Sequence, residues 1–300
     1  MSGPRVVVVT GGSSGIGRAT ARAFVRRGWA VVVAGRDPAA LDRVRDECGA
    51  YGVPTDVSDP DAAVALAAAA VDRYGRLDAW VNAAAVAAFG SVEATPPADA
   101  RRVVEVNALG YLYGVRAALP HLRRAGGGTI VNVASAVGVL GHPGAAGYAM
   151  SRFAVRGLSA SLRQELLLAR ERRIAVCTVL PASVDTPLYR AAANHSGRVV
   201  RALPPVYRPG RVAAAIVGLP DRPRRTTYVG AAGRAAGLAY RLAPALVDRV
   251  YVAHARRNQF LPEPAAATSG NLYEPLHPDP REQTGPETTE AAGPEPAWTR

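Results

Sequence analysis

A tyrosine and a cation four residues apart form the pair in this chain best placed to act on one ligand. Tyr148 and Arg152 lie in a stretch with helical spacing, where positions i and i+4 share a face. A free phenol has a pKa of about 10, too high for easy ionisation at neutral pH, and a nearby cation favours the ionised form. A second group suits phosphate. Thr10-Gly11-Gly12-Ser13-Ser14-Gly15-Ile16-Gly17 follows a run of valines and opens a helix. Glycine there permits positive φ, lets the backbone approach a pyrophosphate and lets the helix pack close to the strand. The helix N-terminus adds free N–H groups and the positive end of its dipole.

The elements that must hold these groups alternate along the chain. Arg5–Thr10, Ala30–Ala34, a short run ending near Thr55, Leu77–Asn82, Gly128–Ala134, Arg173–Leu180 and Thr226–Gly230 read as strands. Between them, Gly15–Arg27, Pro38–Cys48, Asp59–Tyr74, Pro97–Arg124, Gly147–Arg170 and Pro209–Leu219 have helical spacing, with Pro120 as a break point in the fourth. Strands apolar on both faces and separated by helices imply a parallel sheet covered on both sides. Right-handed crossovers make it doubly wound. The expected fold class is therefore α/β, a single Rossmann domain with about seven parallel strands. Its span is residues 1–232, including a mobile helical lid over 187–203. A C-terminal amphipathic helical extension follows over 233–261, interrupted at Pro244. Residues 262–300, rich in Pro, Glu and Thr, read as a disordered acidic tail. Within that tail, Asn271–Leu276 is the one patch apolar enough to dock on something.

Composition narrows the function classes. The 300 residues are 49% hydrophobic and 20% charged, which excludes wholesale disorder. Two cysteines, Cys48 and Cys177, exclude a disulfide scaffold and read as reduced thiols. No secretory leader and no run of about 18 apolar residues is apparent, so the expected location is the cytoplasm. All 36 basic residues are arginine. Residues 262–300 hold seven acidic and two basic side chains, a net of −5, while residues 1–261 carry a net of +17. The arginines form no long run and are not interleaved with aromatics, so no nucleic-acid partner is expected. The 233–257 stretch carries Arg234, Arg241, Arg249, Arg256 and Arg257 beside leucines, and a basic amphipathic helix can lie on anionic lipid. The expectation is instead that its apolar side covers the sheet edge or a subunit interface.

Several motifs carry a resemblance. They are Thr10–Gly17, Asp56-Val57, Asn82-Ala83-Ala84-Ala85, Asn107, Ser135 with Tyr148 13 residues later and then Arg152, and Leu180–Pro187. In this order and spacing the chain, over about residues 5–230, resembles the short-chain dehydrogenase/reductase family. Departures are Ala83 and Ala85 in the asparagine turn, Ala182 in a glycine place, and Arg152 in the lysine place.

The resemblance implies a role for each residue. Gly11, Ser13, Ser14, Gly15, Ile16 and Gly17 would hold the cofactor's phosphates. Asp56 would accept the adenine amine and Val57 would cover the ring. Asn82 would tie the central strands together. Val184 and Thr186 would hold the nicotinamide carboxamide. Tyr148 would be the acid/base, Ser135 would polarise the carbonyl oxygen, and Asn107 would hold a water that relays protons. Arg152 can supply charge and bond the nicotinamide ribose, but its pKa of more than about 12 bars it from passing a proton. Gly35 stands where the family's NAD-selecting acid would close the second strand, and Arg36 follows. A guanidinium there pairs with a 2′-phosphate, so the cofactor reading is NADP(H), with Asp37 capping the next helix. No metal is expected. The lid offers Tyr189, Asn194 and His195 as polar contacts, with His195 read as a solvated loop residue. Leu140, His142 and Met150 are candidates for the pocket wall. The implied activity is hydride transfer between nicotinamide and a small carbonyl or alcohol substrate, in a homodimer or homotetramer formed through the two long helices. The alternative is an NADP(H)-binding sensor or scaffold with little turnover because of Arg152.

Overall fold

A computed structural model describes residues 3–276. β1 (Val6–Thr10) is buried along its whole length and leads through the glycine loop into α1 (Gly15–Arg26). β2 (Ala30–Gly35), α2 (Pro38–Cys48), β3 (Tyr51–Pro54) and α3 (Pro60–Tyr74) repeat the unit. Asp37 and Asp59 cap α2 and α3, each accepting from the amide two residues on at 2.9 Å, with proline at the first helical position. β4 (Ala79–Asn82) is followed by the two-residue β5 (Ala88–Phe89). α4 (Pro97–Val104), a π-helical turn (Glu105–Leu109) and α5 (Gly110–Arg124) follow without interruption. Pro120 stays inside α5, so the irregularity lies at Asn107 and not at the proline.

β6 (Gly128–Val133), the single turn α6 (Val137–Leu140), α7 (Ala146–Leu168) and β7 (Ile174–Pro181) complete the next unit. The remainder holds α8 (Leu188–Ala191), β8 (Ala193–Asn194), β9 (Arg198–Val200), α9 (Pro209–Val217), β10 (Thr226–Val229), α10 (Ala231–Leu242), α11 (Pro244–Asn258) and β11 (Phe260–Pro264).

Seven strands form one parallel sheet in the order β3-β2-β1-β4-β6-β7-β10. The period of two distributes the valines. Val7 and Val9 pack with Phe24, Val44 and Ile216 on the α1–α2–α9 side. Val8 packs with Leu66, Leu122 and Leu162 on the α3–α5–α7 side. The expected doubly wound α/β fold is present. The strand order reverses between β1 and β4, and a crevice opens there beyond the carboxyl ends of the strands.

Two expectations for the C-terminal part need correction. The 187–203 lid is not one helical excursion. After the short α8 it becomes extended, with β8 beside β5 and β9 antiparallel to β11. The disordered tail does not begin at 262. β11 runs to Pro264, Thr268 bridges Asn194, and Leu272 is fully buried among Val57, Val86, Val103 and Val106. A fully buried leucine contributes about 2–3 kcal/mol, and hydrogen bonds to the same segment from Arg36 and Arg102, with Ser269 and Tyr273 bonding Asp99, add to it. The rest of that tail, 277–300, lies outside the described residues.

In the extension, Gly233 and Gly237 face inward against Ala136 and Val139, while Leu238, Leu242, Leu246 and Val250 are exposed, so of the two expected roles these side chains do not cover the sheet edge. Among the described residues no helix is long and apolar enough to cross a membrane.

Candidate active site

Two cavities meet at the carboxyl ends of the strands. The first, of about 210 Å³, runs from the glycine loop past Arg36 and Asp56 to Tyr148 and Arg152. Its floor is the N-terminus of α1. The Ser14 side chain makes no capping bond there, which leaves the first N–H groups of the helix open to an anion. A Cβ on Gly17 would lie 2.1 Å from the Gly11 carbonyl oxygen, so only glycine lets the loop close on the helix. Ser13, Ser14, Gly15 and Ile16 line the same floor, and Thr186 flanks it beside Gly15. Thr10 Oγ1 accepts from the Ala83 and Ala84 amides at 3.1 and 3.3 Å, holding the turn that lacks the usual second asparagine. Asn82 ties β4 to β6 by donating to Asn132 Oδ1 at 2.9 Å, and accepts from the Trp80 indole at 2.8 Å.

At the far end of this cavity Gly35 packs so close to Ser13 that an added Cβ would sit 2.9 Å from Ser13 Oγ. Arg36 follows it. Its guanidinium donates to the carbonyl oxygens of Asn271, Leu272 and Tyr273, the Leu272 and Tyr273 bonds being 3.0 and 3.1 Å. Asp56 accepts from the Ser58 amide and hydroxyl and from Arg102 Nη2 at 2.6 Å. Burial works against its charge, but these bonds outweigh it and hold the carboxyl below its ordinary pKa. Arg102 also donates to the Leu272 carbonyl at 3.0 Å. Sequence reasoning missed Arg102, which looks like any other surface arginine in its helix. Val57 lines the cavity beside Asp56 and packs in the cluster that contains Leu272.

At the near end, Tyr148 and Arg152 share one face of α7. The Arg152 carbon lies 4.7 Å from the centre of the Tyr148 ring. Arg152 is 1% exposed. Its Nη1 donates to the Val133 carbonyl at 3.1 Å and to Tyr111 Oη at 3.3 Å. Its Nε and Nη2 are buried without a partner among the described residues. Burial works against this charge, yet the Tyr148 and Tyr111 oxygens beside it hold its pKa above the ordinary arginine value. Tyr111 was not picked out from sequence, although it stands one turn beyond Asn107. Its hydroxyl donates to the Val133 carbonyl at 3.0 Å.

Asn107 is fully buried and faces elsewhere. Its Oδ1 accepts from the Val86 amide at 2.9 Å, and its Nδ2 donates to the Val86 carbonyl at 2.8 Å and to Ser151 Oγ at 3.1 Å. The side chain fixes the loop before β5. The π-helical turn accounts for the orientation, because the extra residue per turn rotates Asn107 out of the regular face.

The second cavity, of about 260 Å³, opens from Tyr148 and Ser135 toward the C-terminal helices. Ser135 Oγ accepts from the Val137 amide at 3.2 Å, which aims it from the end of β6. Phe89, Leu140, His142, Tyr189 and Tyr251 form the walls, and Val184 and Thr186 the base. No charged Asp, Glu or Arg side chain lines it among the described residues. Burial lowers the His142 pKa and raises that of Tyr189 to about 12, so both are neutral at pH 7. Tyr189 stacks on Phe89 with ring centres 6.1 Å apart. Met150 is exposed and does not reach this wall. Leu112 and Phe153 are also exposed, on α5 and α7, the helices that the resemblance assigns to self-association. Asn194 turns to Ser196 and Arg198. His195 is not a solvated loop residue either. Its Nε2 pairs with the buried Asp99 carboxylate at 2.8 Å.

The chain matches the short chain dehydrogenase family model over residues 5–196. It is 34% identical over 255 residues to an uncharacterized oxidoreductase, YxnA, of Bacillus subtilis, covering 82% of this chain and 71% of that one. It is 36% identical over 223 residues to cis-4-hydroxycyclohexanecarboxylate dehydrogenase of Sinomonas cyclohexanicum, covering 72% and 88%. Among solved structures, a short chain dehydrogenase/reductase from Burkholderia phymatum in complex with NAD matches with a TM-score of 0.74 and 28% identity, over 82% of this chain and 95% of that one. The cleft, the sheet that carries it and these likenesses agree: the chain belongs to the short-chain dehydrogenase family, an NAD(P)-dependent oxidoreductase acting on CH–OH and C=O groups.

Proposed function

We propose that this protein is an NADP(H)-dependent oxidoreductase that interconverts a small, uncharged, apolar ketone and its alcohol, with Tyr148 as the acid/base. The single observation that carries the reading is the position of Tyr148, which lines both cavities, with Arg152 beneath it. The residues present fit a dinucleotide. Two buried guanidinium nitrogens of Arg152 lack partners among the described residues, where ribose hydroxyls would satisfy them, and the uncapped start of α1 offers N–H groups to phosphate. Gly11, Gly15, Ile16 and Gly17 would shape that floor, with Ser13 and Ser14 as further donors. Arg36 would hold the 2′-phosphate, Asp56 and Val57 the adenine, and Val184 and Thr186 the carboxamide. When bound, the nicotinamide supplies or accepts the hydride.

The chain's own groups handle the proton. Tyr148 gives its hydroxyl proton to the substrate oxygen during reduction and takes it back during oxidation. Ser135 donates a hydrogen bond to the same oxygen and polarises the carbonyl. The fixed positive charge of Arg152 stabilises the phenolate that remains. Arginine does not pass protons onward, so the phenolate recovers its proton from water in the open cleft. An apolar wall with neutral His142 and Tyr189 favours a substrate without charge. The relatives named for 3β-hydroxysteroid and cis-4-hydroxycyclohexanecarboxylate oxidation act on ring alcohols, which supports a cyclic substrate.

The test is NADPH oxidation with a panel of cyclic ketones, comparing wild type with Tyr148→Phe. Loss of the acid is expected to reduce kcat by about 10²–10⁴-fold, with NADPH affinity retained. Equal turnover by the two proteins would overturn the reading. Tight NADPH binding by a wild type that reduces no ketone would favour the sensor or scaffold alternative.

A further inference from the structure

The adenine end of the cleft holds a feature that dinucleotide binding alone does not explain. Residues 265–273 cross from the lid to the cleft. Thr268 exchanges backbone hydrogen bonds with Asn194, and the Asn271 amide donates to the Ala191 carbonyl. The buried Asp99 carboxylate collects three donors around the crossing: His195 Nε2 at 2.8 Å, Ser269 Oγ at 3.3 Å and Tyr273 Oη at 2.9 Å. Leu272 plugs the apolar cluster beside Val57. The crossing ends with three consecutive carbonyl oxygens on the Arg36 guanidinium.

We infer that the Ser269–Tyr273 segment determines how far this site discriminates in favour of a 2′-phosphorylated adenosine. This rests on the reading of Arg36 as the 2′-phosphate partner. With the segment seated, its carbonyl oxygens occupy the donors that a phosphate would use, and their partial negative charge opposes a dianion. With the segment displaced, Arg36 is free for a bidentate phosphate contact. A phosphate forms charge-assisted bonds about twice as strong as those of a neutral acceptor, so it can compete for the guanidinium; a ribose hydroxyl cannot. A 2′-phosphate therefore binds at the expense of the segment, and an unphosphorylated adenosine binds beside it.

The probes are adenosine 2′,5′-bisphosphate and 5′-AMP, each titrated calorimetrically into the full-length protein. Leu272→Ser removes the plug, and Tyr273→Phe removes one Asp99 anchor as a milder second variant. Apparent affinity scales with the fraction of molecules whose site is open. Leu272→Ser is expected to tighten bisphosphate binding by about tenfold and AMP binding by less than about twofold, with Tyr273→Phe shifting the ratio in the same direction by a smaller amount. Amide exchange over 268–273 in the wild type is expected to rise with the bisphosphate and not with AMP. Adding Arg36→Ala to Leu272→Ser is expected to abolish the gain. An unchanged ratio in both variants, with Arg36→Ala still weakening the bisphosphate, would overturn the segment's role and leave the cofactor reading standing. No effect of Arg36→Ala in any background would overturn both.

Discussion

The two ends of the dinucleotide cleft each present an arginine, and the two are in opposite states. At the end proposed for the nicotinamide, Arg152 is buried with Nε and Nη2 unmatched among the described residues. At the adenine end Arg36 is half-buried and its guanidinium is met by the chain's own carbonyls. A buried donor without a partner costs free energy that a ligand can recover on binding. A donor already matched offers a ligand only the difference between two partners. The contrast separates where the cleft gains affinity from where it sets selectivity.

The largest expected effect that would break this contrast lies at Arg152. Arg152→Met replaces a buried, partly matched charge with an apolar side chain of similar reach. The ligand-free protein is expected to melt close to the wild-type temperature, because the lost bonds to Val133 and Tyr111 are offset by the desolvation cost that disappears with the charge. NADPH affinity and kcat/KM are expected to fall by about 10–100-fold in the same variant. Calorimetric melting together with steady-state kinetics checks both. A variant that is both less stable and fully active would remove the contrast.

Arg36→Met is expected to behave in the opposite way. It strands the Asn271 and Tyr273 carbonyl oxygens, while Leu272 keeps its bond from Arg102, and it loosens the C-terminal segment, so the ligand-free protein should lose about 1–3 kcal/mol in chemical denaturation. The smallest effect concerns pH. The Asp56 pKa is held below its ordinary value by Ser58 and Arg102, against burial. A lowered carboxyl pKa contributes stability above the unfolded value of about 3.9, and that stability is lost as pH falls through the folded value. Wild type should therefore exceed Asp56→Asn in melting temperature at pH 7 and pH 5, with the gap closing only below about pH 4. A gap that closes between pH 7 and 5 would detach Asp56 from the network that Arg102 builds at this end.

The features visible in the sequence are those coded locally. The valine strands, the glycine loop, the Asp37 cap and the shared face of Tyr148 and Arg152 each depend on residues a few positions apart. Leu140, His142 and Tyr189 line the second cavity from separate segments, and the resemblance rather than local spacing points to them. The features that escaped depend on distant partners or on helix phase. Arg36 meets carbonyls more than 230 residues away, and His195 meets Asp99 across 96 positions. The single π-helical turn around Asn107 interrupts a stretch that reads as one regular helix, and the Gly110 that follows it does not by itself announce it. The buried Leu272, together with the Arg36, Arg102 and Asp99 hydrogen bonds, holds the start of a tail whose Pro/Glu/Thr composition reads as disordered.

NADPH oxidation with an uncharged cyclic ketone, measured for wild type beside Arg152→Lys, most directly tests whether arginine sustains the chemistry at the nicotinamide end. Turnover by the wild type within about tenfold of the lysine variant is expected, because both cations hold the ribose and favour the phenolate. Turnover by Arg152→Lys alone would contradict it and would make Arg152 the residue that disables an otherwise complete site.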